Sequence, residues 1–166
     1  MIRVNARSLW AMDVTSKVPT MPVGDVRRAI AGFPHPDGYD LSVIPLRYRG
    51  DKPHLSAWTD FDDKGITIQI PDPFLPFGEI VPYGAKRRPG KGMRFIWLTE
   101  GVTFRSPREV LRFLYLHEWM HWYLKEQRQR KSQAETTCDR FALYNYRKRT
   151  VTLDDACDAL RRRGNH

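Results

Sequence analysis

Ser106-Pro107-Arg108-Glu109-Val110-Leu111-Arg112-Phe113-Leu114-Tyr115-Leu116-His117-Glu118-Trp119-Met120-His121 decides how this chain is read. Ser at the N-cap, Pro at the first helical position and Glu at the third form a capping box, so a helix opens here. Its periodicity predicts that it runs to about Arg130. Val110, Phe113, Leu114, His117 and His121 follow helical spacing, which puts both imidazoles on the buried stripe. Residues four apart differ by about 40° and rise about 6 Å, so two histidines at this spacing leave one face. They can share one small cation at about 2.0–2.1 Å each. Glu118 is turned about 100° from His117, where it reaches a water on the same metal rather than the metal itself. Two polar rings on a core face need partners, and a cation is the economical one.

A catalytic zinc site takes a third protein ligand and keeps one position open. No histidine follows His121 before the terminal His166, so the candidates are Glu126, Glu135 and Asp139. Glu126 is about 140° around the same helix and points away. Ser132-Gln133-Ala134-Glu135 is a second helix-start signal, and that helix is expected to run to about Arg149. A turn near Lys131-Ser132 folds it back beside the first. Glu135 and Asp139 then share a face. Glu135 is expected to ligate, and Asp139 to accept the second N–H of one histidine and so fix its ring. Asp139 as ligand is the alternative.

These residues resemble a known family. His117-Glu118-x-x-His121 followed by Glu135-Thr136-Thr137-Cys138-Asp139-Arg140-Phe141-Ala142 is similar to the gluzincin-type zinc metallopeptidases, and within them to the E-x-x-A-[ND]-x-F-A signature of ImmA/IrrE-like peptidases, with Cys138 where alanine is frequent. The match spans about residues 106–146. It implies a zincin-like fold, Zn2+ held by His117, His121 and Glu135, and Glu118 as general base in the hydrolysis of peptide bonds. A strand-rich segment ahead of a capped H-E-x-x-H helix also resembles SprT-like proteases, which associate with DNA, although their later histidine ligand has no counterpart here. Peptidases of this kind need an electrophile for the tetrahedral intermediate. Tyr146 is the expected one, with Tyr144 and Arg140 as alternatives. They also receive substrate along a strand, for which Phe95–Leu98 is the nearest before the helix.

Upstream of residue 105 the texture changes to Pro, Gly and β-branched residues. A short helix is expected over 25–31, and strands over 41–48, 55–61, 66–70 and 95–98. Pro45 marks the first strand as an edge or a bulge. Residues 71–94 hold five prolines and four glycines and read as one long loop, apolar first and basic after. A third, short helix is expected over 152–164. Strands followed by helices predict an α+β domain spanning 1–166, with a small twisted sheet on the H-E-x-x-H helix.

The chain has 166 residues, the length of one domain, and 41% hydrophobic residues, enough for a core. It has no apolar run of membrane-spanning length, no secretory h-region at its start and two cysteines, so a reducing cytoplasm is the expected compartment. Cys138, Trp119, Trp122 and Tyr123 read as packing, and His35 and His54 are assigned no role. The net charge is +9, with 28 Lys and Arg against 19 Asp and Glu. That balance admits a second class of function: a nucleic-acid-binding module with a structural metal, or a protease acting on DNA-associated proteins. Its contacts would be the basic loop 86–94 (Arg87, Arg88, Lys91, Arg94) and the basic C-terminal region (Arg147, Lys148, Arg149, Arg161, Arg162, Arg163).

Overall fold

The strand-forming half of the chain builds a four-stranded mixed sheet. In the computed structural model, which describes residues 12–48, 50, 52–87, 95–131 and 134–161, it contains β1 (Val14–Ser16), β2 (Asp40–Leu46), β3 (Ser56–Asp60) and β4 (Gly65–Pro71). Their spatial order is β1-β2-β4-β3. β2 is parallel to both β1 and β4, whereas β3 runs antiparallel to β4 at the edge. Helix α1 (Val23–Ile30) makes the crossover that a parallel β1–β2 pair requires. Ile66, Ile68 and Ile70 alternate inward, and the register sets Leu41 beside Ile66 and Val43 beside Ile68, giving one continuous apolar face.

Pro45 is not on an edge strand. Leu41 and Val43 bond toward the β1 side, through Asp13 O and Lys17 N, and strand alternation turns Pro45 the same way. β1 ends at Ser16, opposite Val43, so the N–H that Pro45 lacks has no ladder partner to lose.

The expected loop over 71–94 is a strand for much of its length. β5 (Phe77–Arg87) pairs antiparallel with β6 (Phe95–Phe104) as a two-stranded ribbon, and β6 runs past Glu100-Gly101 to Phe104. Both strands of such a ribbon are edges, so Pro82 is tolerated, and an irregularity between Pro82 and Gly84 absorbs the misfit. Residues 88–94, which carry Arg88, Lys91 and Arg94, lie outside the described residues.

Helix α2 (Pro107–Trp122) opens on its capping box: Ser106 Oγ accepts from Glu109 N–H at 3.2 Å, and Glu109 returns a carboxylate to Arg105 N–H at 2.7 Å. A π-helical turn, Tyr123–Gln127, follows in place of the expected α-helical run to Arg130. Every residue from Val110 to Leu124 is buried, so α2 is a central helix rather than a one-faced one. The sheet lies on one side, and α1 and α3 (Glu135–Asn145) lie on others. Trp119 stacks on Tyr123 at 5.0 Å and tilts against Phe141 of α3 at 5.4 Å. Buried Arg112 gives its guanidinium N–H groups to the carbonyls of Ala29, Tyr146 and Lys148, tying α1 and the chain beyond α3 onto α2. The second helix accordingly stops at Asn145, short of the expected Arg149. Helix α4 (Leu153–Arg161) closes the described fold, and expected residues 162–164 lie beyond it. The architecture is α+β. No helix among the described residues is long and apolar enough to cross a membrane.

Candidate metal centre

The two histidines of α2 face the first turn of α3. His117 Nε2 is 3.2 Å from His121 Nε2. Glu135 completes the triangle, with Oε2 3.0 Å from His117 Nε2 and Oε1 3.0 Å from His121 Nε2. Four-residue spacing supplies the histidine pair, and the return of the chain through the π-helical turn and residues 128–134 brings in the carboxylate. Ala134 is the N-cap of α3, and the Glu135 carboxylate that follows it is turned to the two histidines.

Two imidazole nitrogens and a carboxylate oxygen are ordinary ligands for a divalent transition metal. The lengths fit as well. The two Nε2 atoms are 3.2 Å apart and each lies 3.0 Å from a different Glu135 oxygen, close to the about 3.3 Å that two ligands at 2.0–2.1 Å subtend in a tetrahedron. A tetrahedral cation held by these three side chains would keep a fourth position for a non-protein ligand. The histidines are each 9% exposed while the Glu135 side chain is 70% exposed, so the site opens on the α3 side. This group can hold a metal ion.

His117 is oriented from behind. Its Nδ1 is 2.8 Å from Asp139 Oδ1, one turn along α3 from Glu135. With Nδ1–H donated to Asp139, the Nε2 lone pair points into the triangle. Burial alone would pull the His117 pKa down, but the Asp139 and Glu135 carboxylates outweigh it and push it up to about 10. His117 in turn holds the Glu135 carboxyl below its usual range. A cation bound here would take up the Nε2 lone pair in competition with a proton.

Glu118 is 5% exposed beside the triangle, with Oε2 3.7 Å from His117 Nε2. Its other oxygen, Oε1, accepts a hydrogen bond from Thr59 Oγ1 of β3 at 2.9 Å. Thr59 was not among the sequence candidates. It lies 59 residues before Glu118, and no local pattern announces it. The same contact identifies β3 as the strand beside Glu118. Phe95–Leu98 instead lies in the ribbon, with Phe95, Ile96 and Trp97 turned outward.

Tyr146 is not placed to serve as the electrophile. Its ring is 3% exposed and packs on Phe104 at 6.0 Å and Phe113 at 5.5 Å. Burial raises the pKa of its hydroxyl most, and the charges that act on it are Arg147, Glu109 and Glu100, with Glu109 in the first turn of α2. As the C-cap of α3, Tyr146 keeps an αR backbone and shares the Asp139 face, but seven residues place it about 10 Å farther along the axis. Buried Arg140 bonds to the carbonyls of Ala159 and Tyr83, and Tyr144 is exposed with its ring on Tyr83. Glu126 points away, accepting from Tyr39 Oη at 2.8 Å. Cys138 is fully buried, and burial pushes its thiol pKa far up, so it packs rather than ligates. His35 Nδ1 is 3.3 Å from Tyr115 Oη, and His54 Nδ1 is 3.0 Å from Lys52 O. His166, Arg162 and Arg163 lie outside the described residues.

No family model, curated protein or solved structure matches this chain. The resemblance to zinc peptidases rests on the sequence motifs alone.

Proposed function

We propose that this chain is a gluzincin-type zinc-dependent peptidase, similar in its motifs to ImmA/IrrE-like enzymes. The observation that carries the reading is the Glu118 carboxylate, buried at the edge of the ligand triangle and clamped by Thr59 so that Oε2 is left for chemistry. His117, His121 and Glu135 hold the metal, and Asp139 fixes the His117 ring. Zinc, when bound, supplies a Lewis acid for the scissile carbonyl and lowers the pKa of the attacking water. Glu118 takes the proton from that water and returns it to the leaving amine. The antiparallel edge strand β3 has no strand on its outer side among the described residues. An extended peptide can add there and bring its backbone past Glu118.

Glu118→Gln tests the reading, because the amide is nearly isosteric and takes no proton at neutral pH. Hydrolysis of a cleavable protein substrate should fall by at least about 10²-fold with zinc content unchanged. Retained hydrolysis would mean that Glu118 is not the base.

The second reading is a nucleic-acid-binding module with a structural metal. Exposed Phe95, Ile96 and Trp97 near Lys86 and Arg87 on the ribbon favour it. A structural site closes with four protein ligands, whereas the metal-binding group stops at three among the described residues. The peptidase reading is therefore preferred.

A further inference from the structure

On the side of α2 turned away from the metal centre lies a cavity of about 390 Å³, within the size range of small-molecule sites. Trp119, one of its lining residues, stands two positions from His117 and two from His121, which turns it about 160° around the helix from both. It is fully buried and forms the floor, while Phe33, Trp122 and Tyr123 give aromatic walls. Tyr123 and Gln127, the first and last residues of the π-helical turn, both line the cavity, and helices widened in this way are frequent at functional sites. Leu153, 56% exposed, and exposed Asp37 stand at the rim.

Two side chains that line this cavity carry unpaired polar atoms. His35 Nε2 and Trp119 Nε1 are both buried and have no hydrogen-bond partner among the described residues. Buried polar groups are nearly always paired, so each marks a partner that the chain does not supply. The kind of partner follows from the protons. Trp119 Nε1–H only donates, so it requires an acceptor. Tyr115 Oη donates its one proton to Pro34 O at 2.8 Å, and therefore accepts from His35 Nδ1 at 3.3 Å. His35 Nε2 then keeps a lone pair and requires a donor. Burial, with Arg27 nearby, holds the His35 pKa below its ordinary value, so the ring is neutral at pH 7. Asp37 adds a second acceptor at the rim, and no Lys or Arg lines the cavity among the described residues. An anionic group finds no partner inside. A flat ring can stack on the aromatic walls, and one that carries both an acceptor and an amino group answers the unpaired atoms as well.

We propose that this cavity binds an uncharged, amino-bearing heteroaromatic ring of nucleobase size. A ring nitrogen or carbonyl accepts from Trp119 Nε1–H, and the amino group donates to His35 Nε2. The site is separate from the metal centre and does not depend on the peptidase reading.

The test is calorimetry on the whole, zinc-loaded protein with pairs of nucleosides. Adenosine and guanosine are each compared with the nucleoside that lacks only the amino group, purine riboside and inosine, and cytidine is compared with uridine. At least one amino-bearing nucleoside should bind saturably and about fivefold or more tightly than its twin, the worth of one hydrogen bond. The NMR signal of the Trp119 indole N–H, identified by its loss in Trp119→Phe, should shift on binding. His35→Phe keeps a flat ring without the acceptor and should bring the ratio toward one. The milder His35→Gln offers a side-chain oxygen and should keep part of the preference. Circular dichroism checks the fold of each variant, and if His35→Phe does not fold, the wild-type ratio and the indole shift decide.

Failure of all three amino-bearing nucleosides to bind would leave a cavity for water only and overturn the proposal. So would equal affinities within every pair, a preference unchanged in folded His35→Phe, or an indole signal that does not move. A nucleoside monophosphate that binds more tightly than its nucleoside, loses that affinity in salt and leaves the indole signal in place would overturn it too, by assigning the binding to the basic surface of the chain.

Discussion

Each ligand-bearing side chain is held by a different kind of neighbour, and substitutions should separate them. Glu135→Ala turns a three-ligand site into a two-ligand one, so most zinc affinity should go. Asp139→Asn keeps the triangle but weakens the hold on His117 Nδ1, and should cost about 10–100-fold in zinc affinity or activity. Thr59→Val removes the bond to Glu118 Oε1 and touches no ligand. Zinc content should then be unchanged while kcat falls by about tenfold or more, the effect of a lost hydrogen bond to a charged group of about 1.5–3 kcal/mol. Zinc titration and steady-state kinetics on one substrate read all three variants, and a Thr59→Val protein that loses zinc would remove the positioning role. His117, Glu118, His121, Glu135 and Asp139 were legible in the sequence because helical spacing fixes directions within α2 and along the first turns of α3. Thr59 was not, because its approach to Glu118 depends on the order of strands in a sheet. For Tyr146 the seven-residue spacing from Asp139 gave the face but not the reach: it lies about 10 Å farther along the axis, where its ring packs on Phe104 and Phe113.

At the scale of elements, α2 is the post around which the others assemble, and the joints lie at backbone contacts. Gly32, just after α1, is one such joint. Its carbonyl accepts from Val151 N–H at 2.9 Å, and a Cβ placed there would stand 2.0 Å from Arg149 O. Gly32→Ala must therefore push α1 away from the connection between α3 and α4, at a cost of about 1–3 kcal/mol. Urea unfolding should show a lower midpoint with an unchanged slope. An unaltered midpoint would mean that this joint yields without cost. The alternation of Ile66, Ile68 and Ile70 and the cap at Ser106 made β4 and α2 readable in advance. The ribbon was missed for a physical reason: Pro and Gly, which argue against an interior strand, are tolerated where every strand is an edge and an irregularity takes up the misfit. The π-helical turn was equally invisible, since its residues are ordinary helix formers and only the return path to Glu135 shows why the helix widens there.

For the molecule as a whole, the described strands all lie before residue 105 and the described helices other than α1 after it, and the candidate metal centre lies where the helices meet the sheet. The candidate ligands belong to α2 and α3, the proposed base is in α2, and the Thr59 hydroxyl that bonds to it comes from the sheet. A metal that binds only the folded chain stabilises it by mass action. With free zinc at about a thousandfold above its Kd that contribution is about 4 kcal/mol. Chelation should lower the thermal midpoint correspondingly. It should leave the helical signal at room temperature, because Trp119 and Phe141 also pack α2 on α3. A midpoint indifferent to chelation would argue that no metal resides there. The central claim, an open three-ligand zinc site, is tested most directly by X-ray absorption at the zinc edge of the purified protein. The account predicts one zinc per chain, two imidazoles, one carboxylate and one non-protein oxygen at about 2.0–2.1 Å. A protein without zinc, a fourth protein ligand, or sulfur at about 2.3 Å would contradict it.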